Sequence, residues 1–457
     1  MDVSQIKFET LEELETKADF FTHHLEPGYR TVFPVCTTWD ELRKYCISQR
    51  IKSREYDDGL FINTLKYIFD KVRVGIYVQI KNTKIHLWTC ISNRNFKNDW
   101  GTKIDFGEYA NVIEFYKAKC TYNKSRTEFI NKNPLAWNAN GGIIQFFPMK
   151  TINDTGISEL YDMFKDLCDN YAIPDCEFFI NRRDHPLLKR NHTEPYHQLF
   201  KTRNIPLNGH TYPEGHLPIL SMCTTPEYMD IPIPTYEDWA MATGKYYART
   251  FGNRVSANTN YSTKNVEKYN LDWETKKDQA VFRGSATGYG TTIHTNQRLK
   301  LASMNNSSDT LDVGITSWAY KCKKITGEPV SFLRHRELPF ELVNKMSMDQ
   351  QTNYKYIICV DGNVSAFRLT NLFRTKSVVI MVESSGGYSL WYYEYLKRGI
   401  HYIPVKADLS DLHQALEWCQ NNPEHCKKIT ENAYELYYTK LSRPGILNYL
   451  KNKLFSL

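Results

Sequence analysis

Three groups of residues have the types and spacing to do chemistry. The first runs from Val281 to Arg298 and holds Gly284, Gly288 and Gly290, hydroxyls at Ser285, Thr287, Thr291 and Thr292, and an arginine near each end, Arg283 and Arg298. Small residues let backbone amides approach a phosphate, a following helix start adds partial positive charge, and arginines fork onto the oxygens. The stretch is no P-loop, since no Gly-Lys-Ser/Thr closes it, and its glycine spacing is not the dinucleotide pattern. The same residues also read as a glycine-rich surface turn between a strand and a helix.

The second group is Asp184 with Arg182, Arg183 and His185 around it. Nearby cations hold a carboxylate ionised, as a general base requires. The alternative is a turn aspartate salt-bridged to its arginines. The third group is Asp361-Gly362-Asn363-Val364-Ser365-Ala366-Phe367-Arg368. At the end of a strand, Ser365 and free amides would hold phosphate oxygens and Arg368 would neutralise them, whereas an ordinary loop with Phe367 in the core explains the residues as well. Glu383 ends the next strand, where it either accepts from ribose hydroxyls or is simply solvated. No Asp-x-Asp occurs, so the common metal chelate for a nucleotide-sugar diphosphate is missing and arginines would have to replace the ion.

The elements that carry these residues are read from pattern. Thr38 with Glu41 three residues on is a helix cap with a capping box. Residues 60–72 read as a helix, and 74–80 and 85–90 as a hairpin turned at 81–84. A loop at 135–140 precedes a short strand at 143–147, and a helix over 160–170 leads to a strand at 176–180 that delivers Asp184. From about residue 272 the rhythm is strand, loop, helix. Continuous apolar runs at 356–360 and 377–382 bracket a helix over 364–373, which suggests a βαβ crossover buried on both faces. A helix at 391–397, a strand at 401–405, a helix at 410–419 capped by Ser410 and helical patterns from 424 onward complete the chain.

At 457 residues there is room for two or three domains, and 41% hydrophobic content excludes wholesale disorder. The net charge of +7 is spread along the chain, which argues for local anion sites over general nucleic-acid affinity. Eleven scattered cysteines without a C-x-x-C pair fit reduced thiols rather than disulfides or structural zinc. The first residues lack the apolar core of a signal peptide, and no stretch approaches 18 apolar residues. The expectation is a soluble, cytoplasmic protein with no membrane span.

Four motifs in one order carry a resemblance. They are Asn181-Arg182-Arg183-Asp184-His185-Pro186, then Phe282-Arg283-Gly284-Ser285, then Tyr354-Lys355-Tyr356 with Ser365-Ala366-Phe367-Arg368, then His401-Tyr402-Ile403-Pro404-Val405-Lys406 before Asp408-Leu409-Ser410. With them the chain resembles glycosyltransferase family 90, which includes fungal capsule-associated proteins and the protein O-glucosyltransferases of the secretory pathway. It looks most like members from large DNA viruses, whose setting would be the host cytoplasm.

The resemblance implies an α/β, GT-B-like architecture of two Rossmann-like domains facing across a cleft. Residues 1–254 would be the acceptor and catalytic-base domain, 255–430 the donor domain, and 431–457 helices packing back. It implies inverting, metal-independent transfer of a sugar, glucose or xylose, from a UDP-sugar to a glycan or protein hydroxyl, with no resident cofactor and no nucleic-acid partner. Asp184 would be the base. Arg283, Ser285, Ser365 and Arg368 would hold UDP, with Gly284 and Phe367 from the same motifs and Glu383 near the ribose. The alternative is a non-catalytic nucleotide-sugar or glycan binding module, against which the retained Asp184 speaks. Nucleic-acid binding is a third reading and would show strong salt dependence.

Overall fold

The computed structural model describes residues 33–52, 58–93, 156–191, 215–243, 271–305, 309–319 and 333–457, so the loop at 135–140 and the strand at 143–147 lie outside the described residues. The first half forms a six-stranded sheet of β1 (Val35–Cys36), β2 (Val74–Lys81), β3 (Lys84–Ser92), β4 (Cys176–Asn181), β5 (Ile219–Ser221) and β6 (Ile231–Pro232), in the order β1-β3-β2-β4-β5-β6. Its helices are α1 (Trp39–Leu42), α2 (Asp58–Lys66), α3 (Ile157–Asn170) and α4 (Tyr236–Thr243). Thr38 caps α1 through the expected box: its hydroxyl accepts from the Glu41 amide at 3.3 Å, and Glu41 Oε2 accepts from the Thr38 amide at 2.9 Å. The helix expected over 60–72 is α2 followed by a wider π turn over Tyr67–Val72.

Asn82 and Thr83 take φ of 50° and 58°, the paired left-handed residues of a tight hairpin turn, and so set β2 antiparallel to β3. β2 is antiparallel to β4 as well, while β4, β5 and β6 run parallel. The first sheet is therefore mixed. It departs from a Rossmann-like half because a two-residue turn cannot make the crossover that a parallel pair needs.

The second sheet matches the α/β expectation. It holds β7 (Lys277–Ser285), β8 (Leu311–Ser317), β9 (Tyr354–Cys359), β10 (Val378–Val382) and β11 (Ile403–Val405), with α5 (Gln297–Ser303), α6 (Leu369–Leu372), α7 (Leu412–Asn421), α8 (Pro423–Lys440) and α9 (Arg443–Phe455). Every neighbouring pair is parallel, in the order β11-β10-β9-β7-β8. β10 and the second half of β9 read as apolar runs because both faces are covered there. Val281, Ile357 and Val379 share a core with Phe164, Phe178 and Trp239 of the first half, whereas Phe282, Ile358 and Ile380 pack with Leu299 and Leu412.

Polar bonds join the halves too. Buried Asp238 of α4 accepts from Thr370 Oγ1 of α6 at 2.6 Å and from Trp391 Nε1 at 2.9 Å. Arg443 at the start of α9 donates from Nε to Asp166 of α3 at 2.6 Å, and Tyr449 Oη reaches the Pro232 carbonyl at 2.7 Å. Among the described residues no helix is long and apolar enough to cross a membrane.

Three helix expectations are corrected. The segment 364–373 is helical only over α6, because Asp361 Oδ1 accepts from the Ala366 amide at 3.1 Å and the Gly362 amide donates to the Val364 carbonyl at 2.9 Å, closing a turn first. The segment 391–397 makes only a short 3-10 turn over Tyr393–Tyr395, since Trp391 and Tyr392 are drawn into the core. Ser410 does not cap α7. Asp411 stands at that position, and the Ser410 amide donates back to Asp408 at 3.0 Å.

Candidate active site

β4 ends at Asn181, whose side chain shapes the loop that follows. Its Oδ1 accepts from the Arg183 amide at 2.7 Å, and its Nδ2 donates to the His185 carbonyl at 2.6 Å and to Ser221 Oγ at 3.0 Å. Downstream, buried Asp230 accepts from the amides of Leu187 and Leu188, both at 2.7 Å, and from the Ser221 hydroxyl. Burial pushes the Asp230 carboxyl up to about 6, against the pull of those bonds.

Asp184 is thus held by its backbone. Its carbonyl accepts from the Cys223 thiol at 3.2 Å, and its half-buried carboxylate bonds to nothing among the described residues. The Arg183 guanidinium turns away to the Val72 carbonyl, at 2.6 Å from Nη2 and 3.0 Å from Nε. A turn aspartate bridged to its arginines is therefore not what the structure shows.

In the second sheet the chain leaves β7 toward β8 and leaves β9 toward β10, so the connections diverge between the carboxyl ends of β7 and β9. Open α/β sheets bind ligands in the crevice at such a reversal. The two phosphate-type loops of the sequence lie on its two sides: 285–292 follows β7 and 361–368 follows β9.

The glycine-rich loop spends most of its amides on other groups of the protein. Thr287 donates to the Ser285 carbonyl, Gly288 to Asn363 Oδ1, and Thr291 and Thr292 to Thr295 Oγ1. Asn296, nearly fully buried, caps α5 by accepting from the amides of Arg298 and Leu299, and also donates to the carbonyls of Thr287 and Gly290. A cap residue ahead of Gln297 was readable in the sequence as an N-cap asparagine. Gly284 must stay bare, because a Cβ there would lie 2.8 Å from Phe282 Cζ and 3.3 Å from Arg298 Nη1.

The opposite loop is less satisfied. The amides of Ser365, Phe367 and Arg368 bond to no group among the described residues. Ser365 Oγ and Asp361 Oδ2 are buried and have no hydrogen bond of ordinary geometry among the described residues. Phe367 packs on the shared core.

The arginines divide. Arg283 forms an ion pair with Asp312 of β8 and donates to the Asp312 carbonyl at 2.7 Å. Burial raises the Asp312 carboxyl, but bonds from Tyr354 and Arg283 outweigh it and hold the group below its usual value. Arg298 donates to the carbonyls of Ser285, Val360 and Asp361 and to Thr287 Oγ1, at 2.8 to 3.1 Å. Arg368 donates to the carbonyls of Arg283 at 2.8 Å and Ile358 at 3.1 Å. Both guanidiniums also lie over the Phe282 ring, 5.7 and 5.1 Å from its centroid.

Arg298 and Arg368 pin the two strand ends together, and neither has an ion pair among the described residues. Burial lowers both, and Arg298, also repelled by Arg368, comes down to about 10. The adjoining Asp361 carboxyl is pushed up to about 6 by burial. Glu383, at the end of β10, pairs instead with Arg398 at 2.9 Å, and its carbonyl accepts from Gln297 Nε2 at 2.8 Å. The structure therefore gathers Arg283, Gly284, Ser285, Ser365 and Arg368 at one crevice. Sequence reasoning missed Asp312 and Asn296, the side chains that occupy Arg283 and the start of α5.

The family model described as "Glycosyl transferase family 90" matches residues 157–456, about two thirds of the chain and both of the loops just described. The chain belongs to glycosyl transferase family 90. Among relatives of this family 90 chain, uncharacterized protein 179R of Invertebrate iridescent virus 6 is 36% identical over 87% of the chain and 37% of its own length. Uncharacterized protein 027R of Frog virus 3 is 32% identical over 86% and 41%. Protein O-glucosyltransferase 3 of Mus musculus is 28% identical over 60% and 46%. The chain spans less than half the length of each of these relatives.

Proposed function

We propose that this chain is an inverting glycosyltransferase that moves a sugar from UDP to an acceptor hydroxyl, with the diphosphate in the β7/β9 crevice and Asp184 as general base. The observation that carries the reading is the pair of partly buried guanidiniums, Arg298 and Arg368, with no carboxylate ion-paired to either among the described residues. Two repelling cations held partly out of water are costly unless an anion joins them. A diphosphate supplies that charge, and the unpaired amides of Ser365, Phe367 and Arg368 supply donors to its oxygens.

The chemistry follows from need. An acceptor hydroxyl is a weak nucleophile, so the Asp184 carboxylate takes its proton as its oxygen bonds to the anomeric carbon. The bond from that carbon to the diphosphate breaks on the opposite face, and the electron pair leaves with UDP. The charge growing there is met by groups already fixed in place. The Asp184 carboxylate, which has no partner among the described residues, suits this role. In this reading the base loop and the crevice face one another across a cleft, with residues 1–254 on the acceptor side. Arg283, held by Asp312, contributes its carbonyl to the Arg368 clamp rather than its guanidinium to phosphate.

Family membership and the relative named as a protein O-glucosyltransferase support UDP-glucose as the first donor to test, then UDP-xylose, with a glycan or protein hydroxyl as acceptor. UDP release from these donors is the test. Release is expected to be unchanged by EDTA, because the cations that offset the leaving charge are arginines; loss of activity in EDTA would bring a divalent ion into the reaction.

Asp361 adds a pH dependence. Its folded-state value is raised to about 6 by burial, so the stability that the protonated form contributes is present below the unfolded carboxyl range and lost as pH rises through about 6. Ionisation also puts a negative charge beside the proposed diphosphate site. Calorimetric affinity for UDP-glucose, whose own diphosphate does not titrate in this window, should therefore rise severalfold from pH 7.5 to 5.5. Asp361→Asn should flatten that slope, and an equal slope in the variant would remove Asp361 as its source.

A further inference from the structure

The two halves of the molecule meet at a short hydrogen-bonded chain next to the base. His185, the residue after Asp184, has Nδ1 3.1 Å from Tyr388 Oη, and Tyr388 Oη is bonded in turn to Tyr289 Oη on the glycine-rich loop. Tyr388 Oη is the shared member of both bonds, since a phenol can donate one hydrogen bond and accept others. Tyr388 is buried at 8% exposure and is delivered by a tight turn in which its amide donates to Ser384 Oγ at 3.0 Å. The next residue, Ser389, exchanges two backbone bonds with Thr224, at 3.0 and 2.9 Å, and the neighbouring Cys223 thiol holds the Asp184 carbonyl. Tyr388 and Ser389 thus engage the neighbours of Asp184, His185 directly and Cys223 by way of Thr224.

The turn leaves room for this arrangement. A Cβ at Gly386 would sit 2.5 Å from Tyr388 Cε2 and 2.9 Å from Tyr289 Oη, so a side chain there would collide with both phenols.

We propose that Tyr388 is a positioning residue for sugar transfer: its hydroxyl ties the base-bearing loop to the glycine-rich loop and so sets Asp184 against the bound donor. The inference rests on the assignment of Asp184 as base. Tyr388 touches neither substrate nor the reacting atoms in this account. It fixes the distance between two groups carried on different sheets, and small misplacements of reacting groups are expensive in rate.

The test is the rate of UDP release from UDP-glucose and UDP-xylose by the full chain and by Tyr388→Phe, Tyr289→Phe and their double variant. Tyr388→Phe should lower kcat by about 10- to 100-fold with the donor KM little changed. Tyr289→Phe, on a half-buried loop, should move kcat in the same direction, and the double variant should be no worse than Tyr388→Phe alone, as expected for members of one chain. Gly386→Ala should reproduce the effect by pushing the phenols apart. A merely structural role would lower the melting temperature and leave kcat per folded molecule intact. Wild-type turnover with an undiminished kcat in both phenylalanine variants overturns the inference. Absence of turnover by the wild type with every UDP-sugar overturns the glycosyltransferase reading itself, and the wild-type control separates the two.

Discussion

Asp184→Asn is expected to lower kcat for UDP-sugar turnover by about 10²–10⁴-fold, the usual worth of a positioned base, while UDP still binds. The substitution keeps the shape of the side chain and the backbone bond from Cys223, which goes to the Asp184 carbonyl. What it removes is a carboxylate with no partner among the described residues. A group that stabilised the fold would be bonded, and its loss would register in the melting temperature. Here the stability should change little. Steady-state UDP release and calorimetric UDP affinity on the same preparation separate the two effects; full activity in the variant would exclude Asp184 from the reaction.

The second large effect is expected at Arg368. Arg368→Met keeps an apolar stem over the Phe282 ring but deletes the charge and the bonds to the Arg283 and Ile358 carbonyls. Donor affinity should fall by about 10²-fold, in line with the loss of a charge-assisted contact or a developing-charge donor. Arg283→Met should behave differently, because its guanidinium is already neutralised by Asp312. Donor affinity there should stay within a few-fold of the wild type, with the loss appearing as reduced stability. Equal losses of affinity in both variants would restore Arg283 to direct phosphate contact and weaken the case for the Arg298–Arg368 pair.

Local signals in the sequence survived well. The Thr38–Glu41 box, the hairpin turn at Asn82 and Thr83, and the apolar run that becomes β4 depend on residues a few positions apart, and the chain honours them. Signals that depend on strand pairing did not show. Register pairs Val281 with Asp312 and Arg283 with Gly314, so Asp312 lies diagonal to Arg283 and within its reach. Nothing in the spacing of 29 residues announces that. The helix over 364–373 has acceptable periodicity, yet the Asp361 side chain bonds to the Ala366 amide and defers it. The His185–Tyr388 bond spans 203 residues and is invisible to any local pattern. The two loops that sequence chemistry singled out do lie side by side at the ends of β7 and β9, but the glycine-rich one gives most of its amides to its own serine and threonine groups and to Asn363 of the opposite loop. More open donors, the amides of Ser365, Phe367 and Arg368, are on the loop after β9.

The central claim is that the crevice between β7 and β9 holds the diphosphate of a UDP-sugar. Thermal unfolding of the full chain with UDP, UDP-glucose, UDP-xylose or uridine tests it most directly, since a ligand that binds only the folded state stabilises it by about 2.7 kcal/mol at a hundred times its Kd. Tm should rise with UDP and with at least one UDP-sugar, change little with uridine, and show no rise with any of them in Arg368→Met. An unchanged Tm with every diphosphate ligand at millimolar concentration would contradict the claim.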